Sequence, residues 1–319
     1  YTAAARLAPD DGRAHNCLGV LAQATGQTLS ATYEFARCIG CAGNAAARRN
    51  ARNNLSALMQ RVHTKSPTSS RPERSRGGGK EAWAAALASW STAVLGALAP
   101  AALGVDLDMQ PRLGAAAVKA WHAVGASAGG LRDAHAAAQL AEAAHNIFGL
   151  LVFAVHDAAR EAPSTSTPDP AGPDAKPLPS LLSPPSAPCT ATCTAAIMLA
   201  LQSLTHALSI LTKHQATSGP LLPTVAQMCR WLAARPWLLS AGGAGGAAET
   251  VPAELLAALA TLLTTLPAPT TCPWEEPAEE IPQDAMPMLP EEADTTGFIP
   301  FDEHVAAPRR AAAADPKQH

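Results

Sequence analysis

A repeat of 34 residues near the start of the chain constrains the fold more than any other sequence feature. Tyr1 and Phe35 are 34 residues apart, and so are Pro9 and Gly43, where the chain turns. Two helical stretches, HNCLGVLAQATGQ and TLSATYEFARCIG, lie between these turns. This period is typical of arrays built from helix–turn–helix units of about 34 residues, the tetratricopeptide arrangement. Because such arrays need about three units to bury a core, we expect further repeats upstream of Tyr1.

The first of these two helices has a predicted packing face. Leu18, Leu21 and Ala22 are expected to pack on neighbouring helices, with Gly19 and Gly26 allowing close approach. Phe35 of the second helix is expected to fill the gap between the two.

Composition predicts an all-α protein. The 319 residues are 48% hydrophobic but only 4% aromatic, because much of the apolar content is alanine. Alanine has the highest helix propensity, and alternating runs of β-branched residues, which would indicate strands, are absent.

Changes in composition along the chain predict its organisation. We expect the end of the repeat domain at residues 1–63, a basic flexible linker at 64–80 and an α-helical hairpin domain at 81–266. Residues 162–188 contain nine prolines and are predicted to be a disordered insertion. Residues 267–319 form a Pro-rich acidic tail.

Positive charge is concentrated in one part of a chain whose net charge is only −3. Residues 48–80 carry nine Lys or Arg and one acid, Glu73. Arg48, Arg49 and Arg52 are therefore candidates for contact with nucleic acid or phosphate. A solvated connector is the alternative interpretation.

The sequence favours neither a metal site nor a catalytic site. Cys38 and Cys41 could form a zinc site with Cys189 and Cys193, but small residues facing a core are the better interpretation of these four. No phosphate-binding loop or nucleophile signature is present. We therefore predict a non-enzymatic protein without a metal or a cofactor.

A membrane partner is not expected either. Residues 82–105 carry no charge and are long enough to cross a bilayer. Alanine is a weak membrane residue, however, and Pro100 interrupts the run, so a buried helix is the preferred interpretation.

Three segments, taken in order, resemble the "ever shorter telomeres one" family, which includes adaptors of nonsense-mediated mRNA decay. They are PDDGRAHNCLGVLAQATGQTLSATYEFARCIG, LPTVAQMCRWLAARPWLL and the closing motif LPEEADTTGFIPF at residues 289–301. The resemblance implies a 14-3-3-like tetratricopeptide domain followed by a helical hairpin domain.

The resemblance also implies partners and a location. The expected partners are the phosphorylated RNA helicase of the decay pathway, another adaptor of the family and the mRNA decay machinery, in cytoplasm and nucleus. Some members associate with telomerase, so RNA or telomeric single-stranded DNA is an alternative partner. A helical scaffold without a peptide groove is a third interpretation.

Two asparagines are the site residues that the resemblance implies. Asn16 and Asn54 resemble groove asparagines that hold the main chain of a bound phosphoserine peptide, a task suited to an amide because it both donates and accepts. The alternative is that both are exposed helix residues with local bonds. His15 stands where the family usually has tyrosine, and the family's phosphate-binding residues lie mainly upstream of Tyr1.

Overall fold

The computed structural model describes residues 1–41, 43–65, 79–103, 105–126, 134–160, 190–213, 221–241 and 250–265. Within these ranges the chain forms α-helices and no strand, which confirms the predicted all-α class. The helices are α1 (Thr2–Leu7), α2 (Arg13–Ala24), α3 (Thr28–Gly40), α4 (Ala45–Lys65), α5 (Gly79–Leu103), α6 (Gln110–Ala126), α7 (Ala134–Arg160), α8 (Ala191–Lys213), α9 (Leu222–Ala233), α10 (Leu238–Ala241) and α11 (Thr250–Thr265), with a short 3-10 helix at Leu107–Met109.

The 34-residue repeat corresponds to stacked turns in the structure. The turn before α2 packs on the turn before α4, where Gly43 N donates to Asp10 O at 3.0 Å. A Cβ atom on Gly43 would lie 2.3 Å from the same carbonyl oxygen. Residue 43 therefore has to be glycine for the two turns to approach this closely.

Helices α2 and α3 pack through a glycine and an aromatic ring, as predicted. A Cβ atom on Gly19 would lie 2.5 Å from Cε1 of Phe35, and Phe35 is fully buried. The close approach predicted at Gly26 is not found, because nothing lies within 4 Å of a Cβ there; its φ is +77°. Gly26 ends α2 because it adopts a left-handed conformation that other residues disfavour.

The predicted apolar face of α2 is also partly wrong. Leu21 is 55% exposed, whereas His15 and Gly19 are buried and Ala22 packs against the core. The buried stripe follows the helical spacing 15, 19, 22. It differs from the prediction because a glycine and a histidine, rather than leucines, occupy the positions that face α3.

Asn44 and Arg48 stabilise the turn between α3 and α4. Asn44 Oδ1 accepts from Ala47 N at 3.0 Å, as an N-cap residue does. Arg48 Nη1 donates to the carbonyl oxygens of Cys41 at 3.2 Å and Gly43 at 3.0 Å. These bonds satisfy backbone acceptors at the end of α3.

Large aromatic side chains hold the helices after residue 79. Trp90 of α5 and Trp121 of α6 are buried and stacked, with ring centroids 3.8 Å apart and planes 18° apart. Trp231 of α9 is also buried, and its Nε1 donates to Nε2 of the buried His156 at 3.4 Å.

Helix α7 joins the repeat region to these later helices. The Tyr33 hydroxyl of α3 lies 2.9 Å from His145 Nε2 of α7. Arg52 of α4 forms two hydrogen bonds with the carboxylate of Asp157, of 2.7 and 3.1 Å. One cluster of buried apolar residues accordingly runs from Ala31 to Leu262. The domain boundary at residues 64–80 stays a prediction.

Three described helices are long and apolar enough to cross a membrane by length and composition. The stretches are Trp83–Pro100, His135–Ala159 and Ala191–Thr212, of which 50%, 67% and 56% are buried inside the protein. Here their apolar surface packs against other helices. The predicted insertion at 162–188, the tail at 267–319 and the motif at 289–301 lie outside the described residues.

Candidate peptide-binding site

The two asparagines implied by the resemblance meet in the structure. Asn54 Nδ2 of α4 donates to Asn16 Oδ1 of α2 at 3.2 Å, and both side chains are half-buried. This bond, here called the amide contact, uses one donor of Asn54 and one acceptor of Asn16. Each carboxamide therefore retains groups that can bond the main chain of a ligand.

A second polar contact joins the same two helices. The oxygen and nitrogen of the Gln23 amide are assigned from the donors around them, which places the oxygen toward Arg61. In this orientation the oxygen accepts from Arg61 Nη1 at 3.3 Å and from Nη2. Arg61 Nε also donates to Ala57 O at 3.3 Å. We call the Gln23–Arg61 pair the arginine contact, and the surface that carries both contacts the α2–α4 face.

A neighbouring side of α2, about 100° around the helix from Asn16, is fixed by a buried histidine. His15 is buried, and its Nδ1 donates to Glu34 Oε2 of α3 at 2.7 Å. Burial lowers the pKa of His15, an effect that the hydrogen bond to Glu34 partly opposes. The imidazole is therefore neutral near pH 7 and anchors α2 on α3, leaving Asn16 on the side toward α4.

The three arginines predicted to contact phosphate or nucleic acid occupy different environments. Arg48 is only 5% exposed and bonds the α3–α4 turn, so a phosphate could reach it only if that turn opened. Arg52 is held by Asp157. Arg49 is exposed to solvent. The structure thus does not bring these side chains together into one patch.

The cysteines considered for zinc binding lie in the packing between turns. Cys38 and Cys41 are buried, and burial raises the pKa of each thiol to about 12. Cys41 Sγ donates to Pro9 O at 3.3 Å. Cys193 is in α8, and Cys189 lies outside the described residues. No group of three or more His, Cys, Asp or Glu that could hold a metal occurs in the described ranges.

Sequence reasoning missed Gln23 and Arg61. The signal was available, because each lies seven residues after the asparagine on its own helix, and seven residues are close to two helical turns. What the sequence could not supply was the register of α2 against α4. That register depends on how both helices pack on α3 and on each other.

One comparison with known proteins finds a family. Residues 1–100 match the family model described as Est1 DNA/RNA binding domain. The match covers the repeat region and most of α5, and it agrees with the family resemblance of the sequence at a coarse level. No curated protein and no solved structure matches the chain.

Proposed function

We propose that the chain is a non-enzymatic adaptor of nonsense-mediated mRNA decay whose α2–α4 face binds an extended phosphoserine peptide. The ligand we infer is a phosphorylated segment of the decay RNA helicase, and a second adaptor of the family is a further partner. The family match at residues 1–100 and the family motifs of the sequence support this assignment. Such a role places the protein in the cytoplasm and the nucleus.

The observation that carries the proposal is the amide contact. Asn16 of α2 and Asn54 of α4, which are 38 residues apart in sequence, are hydrogen-bonded to each other. In a stack of helical hairpins, alternate helices share one surface, which such proteins use for binding. Carboxamides on this surface can bond successive peptide groups of a ligand without selecting its side chains.

Alanine substitutions at the two asparagines test this proposal. Binding would be measured by fluorescence anisotropy with a peptide pool that has a fixed central phosphoserine and random flanks. Asn16→Ala and Asn54→Ala should each weaken binding by roughly 1–3 kcal/mol, because a desolvated peptide group loses its partner. Helicity and thermal unfolding should change little.

Asn53→Ala is the matched control. Asn53 is the exposed neighbour of Asn54 and lies about 100° around the helix from it, so its loss should leave affinity unchanged. Equal affinity for Asn16→Ala, Asn54→Ala and the wild type would contradict the proposal. A loss of fold together with affinity would return both asparagines to a structural role.

A second candidate function is nucleic-acid binding, as in a telomerase-associated member of the family. It is favoured by the description of the matching family and by α4, which carries basic side chains and no acid. The test is a salt titration of binding to a 20-nucleotide RNA and a telomeric single strand. A steep loss of affinity with salt, made shallower by Arg49→Gln, would favour this function.

A further inference from the structure

The arginine contact places an exposed guanidinium at a fixed position on the α2–α4 face. Gln23 and the Ala57 carbonyl together accept from all three nitrogens of Arg61. These bonds use three of the five N–H groups that a guanidinium carries. Arg61 is therefore held in place while donors remain for a ligand.

The amide contact and the arginine contact have the same spacing on both helices. Gln23 follows Asn16 by seven residues, and Arg61 follows Asn54 by seven residues. Since both steps run in the same direction, α2 and α4 are parallel here, and the two contacts are about 10.5 Å apart along the helix axes. An extended peptide rises about 3.3 Å per residue, so this separation corresponds to about three ligand residues.

The charge of the two helices favours an anionic ligand. Neither Arg13–Ala24 nor Ala45–Lys65 contains an Asp or Glu. Four acids near the two helices are each bonded to another side chain: Asp11 to Arg13, Glu34 to His15, Asp157 to Arg52 and Asp106 to His63. A guanidinium beside a face without carboxylates attracts phosphate, which it binds through paired N–H groups.

The other described arginines of α4 are unsuited to this role. Arg48 bonds the α3–α4 turn, and Arg52 bonds Asp157. Arg49 is exposed but lies about 140° around the helix from Asn54, away from the α2–α4 face. Arg61, by contrast, is in line with Asn54.

We propose that Arg61 binds the phosphate of the phosphoserine ligand, about three residues along the peptide from the main-chain segment held by Asn16 and Asn54. The inference rests on the proposed function and adds to it a phosphate contact within this chain. Gln23 is a positioning residue, which keeps the guanidinium on the α2–α4 face.

The test compares two peptide pools on the full 319-residue chain. One pool has a fixed phosphoserine and the other has serine at that position. Arg61→Gln should weaken binding of the phosphoserine pool by about tenfold, the scale of one charge-assisted bond. Binding of the serine pool should change by less than about twofold. Arg49→Gln, the matched control, should affect both pools by less than about twofold.

A substitution at Gln23 separates positioning from simple charge. Gln23→Glu places a carboxylate against Arg61, where it competes with the phosphate, and should weaken the phosphoserine pool about as much as Arg61→Gln does. Gln23→Ala should give a smaller loss, because the guanidinium stays but is less well held. Equal affinities of the wild type, Gln23→Glu and Gln23→Ala for the phosphoserine pool would overturn the roles proposed for Gln23 and Arg61.

The remaining outcomes distinguish this inference from the proposed function. If Asn16→Ala weakens binding of the phosphoserine pool and Arg61→Gln does not, the phosphate contact is wrong and the peptide site stands. If neither substitution weakens binding, the phosphate contact and the peptide site are both wrong. If Arg61→Gln weakens binding of a 20-nucleotide RNA more than binding of either peptide pool, the guanidinium binds nucleic acid and the inference is overturned.

Discussion

The described parts of residues 1–65 and of residues 79–265 are both helical, but different side chains hold their helices together. In the first region, glycine lets helices and turns approach closely, as at Gly19 against Phe35 and Gly43 against Asp10. In the second, buried indole rings fill the space between helices, as in the Trp90–Trp121 stack.

This difference affects the surface that each region presents. Close packing at glycines lets α2 and α4 carry bonded polar side chains on one face, since the apolar contacts are made on the other side toward α3. In the second region most of α7 is buried, and its polar residues His145 and Asp157 bond other helices. We therefore expect ligand contacts in the first region and mainly stability in the second.

The largest expected effect is the loss of an indole from the second region. Trp90→Ala should lower the free energy of unfolding by about 3–5 kcal/mol, because a cavity replaces a buried ring stacked on Trp121. Urea unfolding followed by circular dichroism measures this change. Leu256→Ala, at a position 54% exposed, is the control and should change it by less than about 0.5 kcal/mol. Similar values for the two variants would contradict the packing described.

The next effect concerns the glycine packing of the first region. Gly19→Ala should lower the free energy of unfolding by about 1–3 kcal/mol, since the new methyl group would overlap the Phe35 ring. Phe35→Leu in the same protein should restore part of the loss. Gly114→Ala is the control, because nothing lies within 4 Å of a Cβ there. A stabilised Gly19→Ala variant would show that α2 and α3 are not closely packed.

The smallest effect is a dependence of stability on pH in the first region. Because burial lowers the pKa of His15, the unfolded chain takes up a proton at a higher pH than the folded one. Stability from this residue is thus present above about pH 6.5 and is lost as the pH falls below it. His15→Gln should flatten that decline between about pH 7.5 and about pH 5.5.

The control for this pH dependence is Asn53→Gln, at an exposed position of α4. Neither side chain titrates in this pH range, so the decline should stay as it is in the wild type. If His15→Gln declined as steeply as the wild type, the neutral, buried state of His15 would be wrong.

The sequence predicted features that depend on short-range spacing. The helical class, the 34-residue period and the Gly19–Phe35 contact follow from residue type and periodicity, and the structure confirms them. Contacts that depend on how helices are placed against each other could not be predicted in this way. The exposure of Leu21 and the burial of Arg48 are of this kind, because hydropathy and charge do not reveal which side of a helix meets a turn or a neighbour.

The residues of the candidate site could be predicted in part from the sequence, but their contacts could not. Asn16 and Asn54 entered through a family motif, and their side chains bond each other. Their role in binding stays a prediction. Arg61 is one of nine basic residues between positions 48 and 80. Its spacing of seven residues from Asn54 places it on the same side of α4, but the contact with Gln23 depends on how α2 and α4 are placed against each other.

The central claim is that the ligand lies along the α2–α4 face, and photo-crosslinking from two adjacent positions tests it most directly. Val20 and Leu21 are 49% and 55% exposed, but Val20 lies about 40° and Leu21 about 140° around α2 from Asn16. Benzoylphenylalanine would replace each in turn and be irradiated with the phosphoserine pool. We predict crosslinking from position 20, abolished by Asn54→Ala, and little from position 21. Equal crosslinking from the two positions, or more from position 21, would contradict the account.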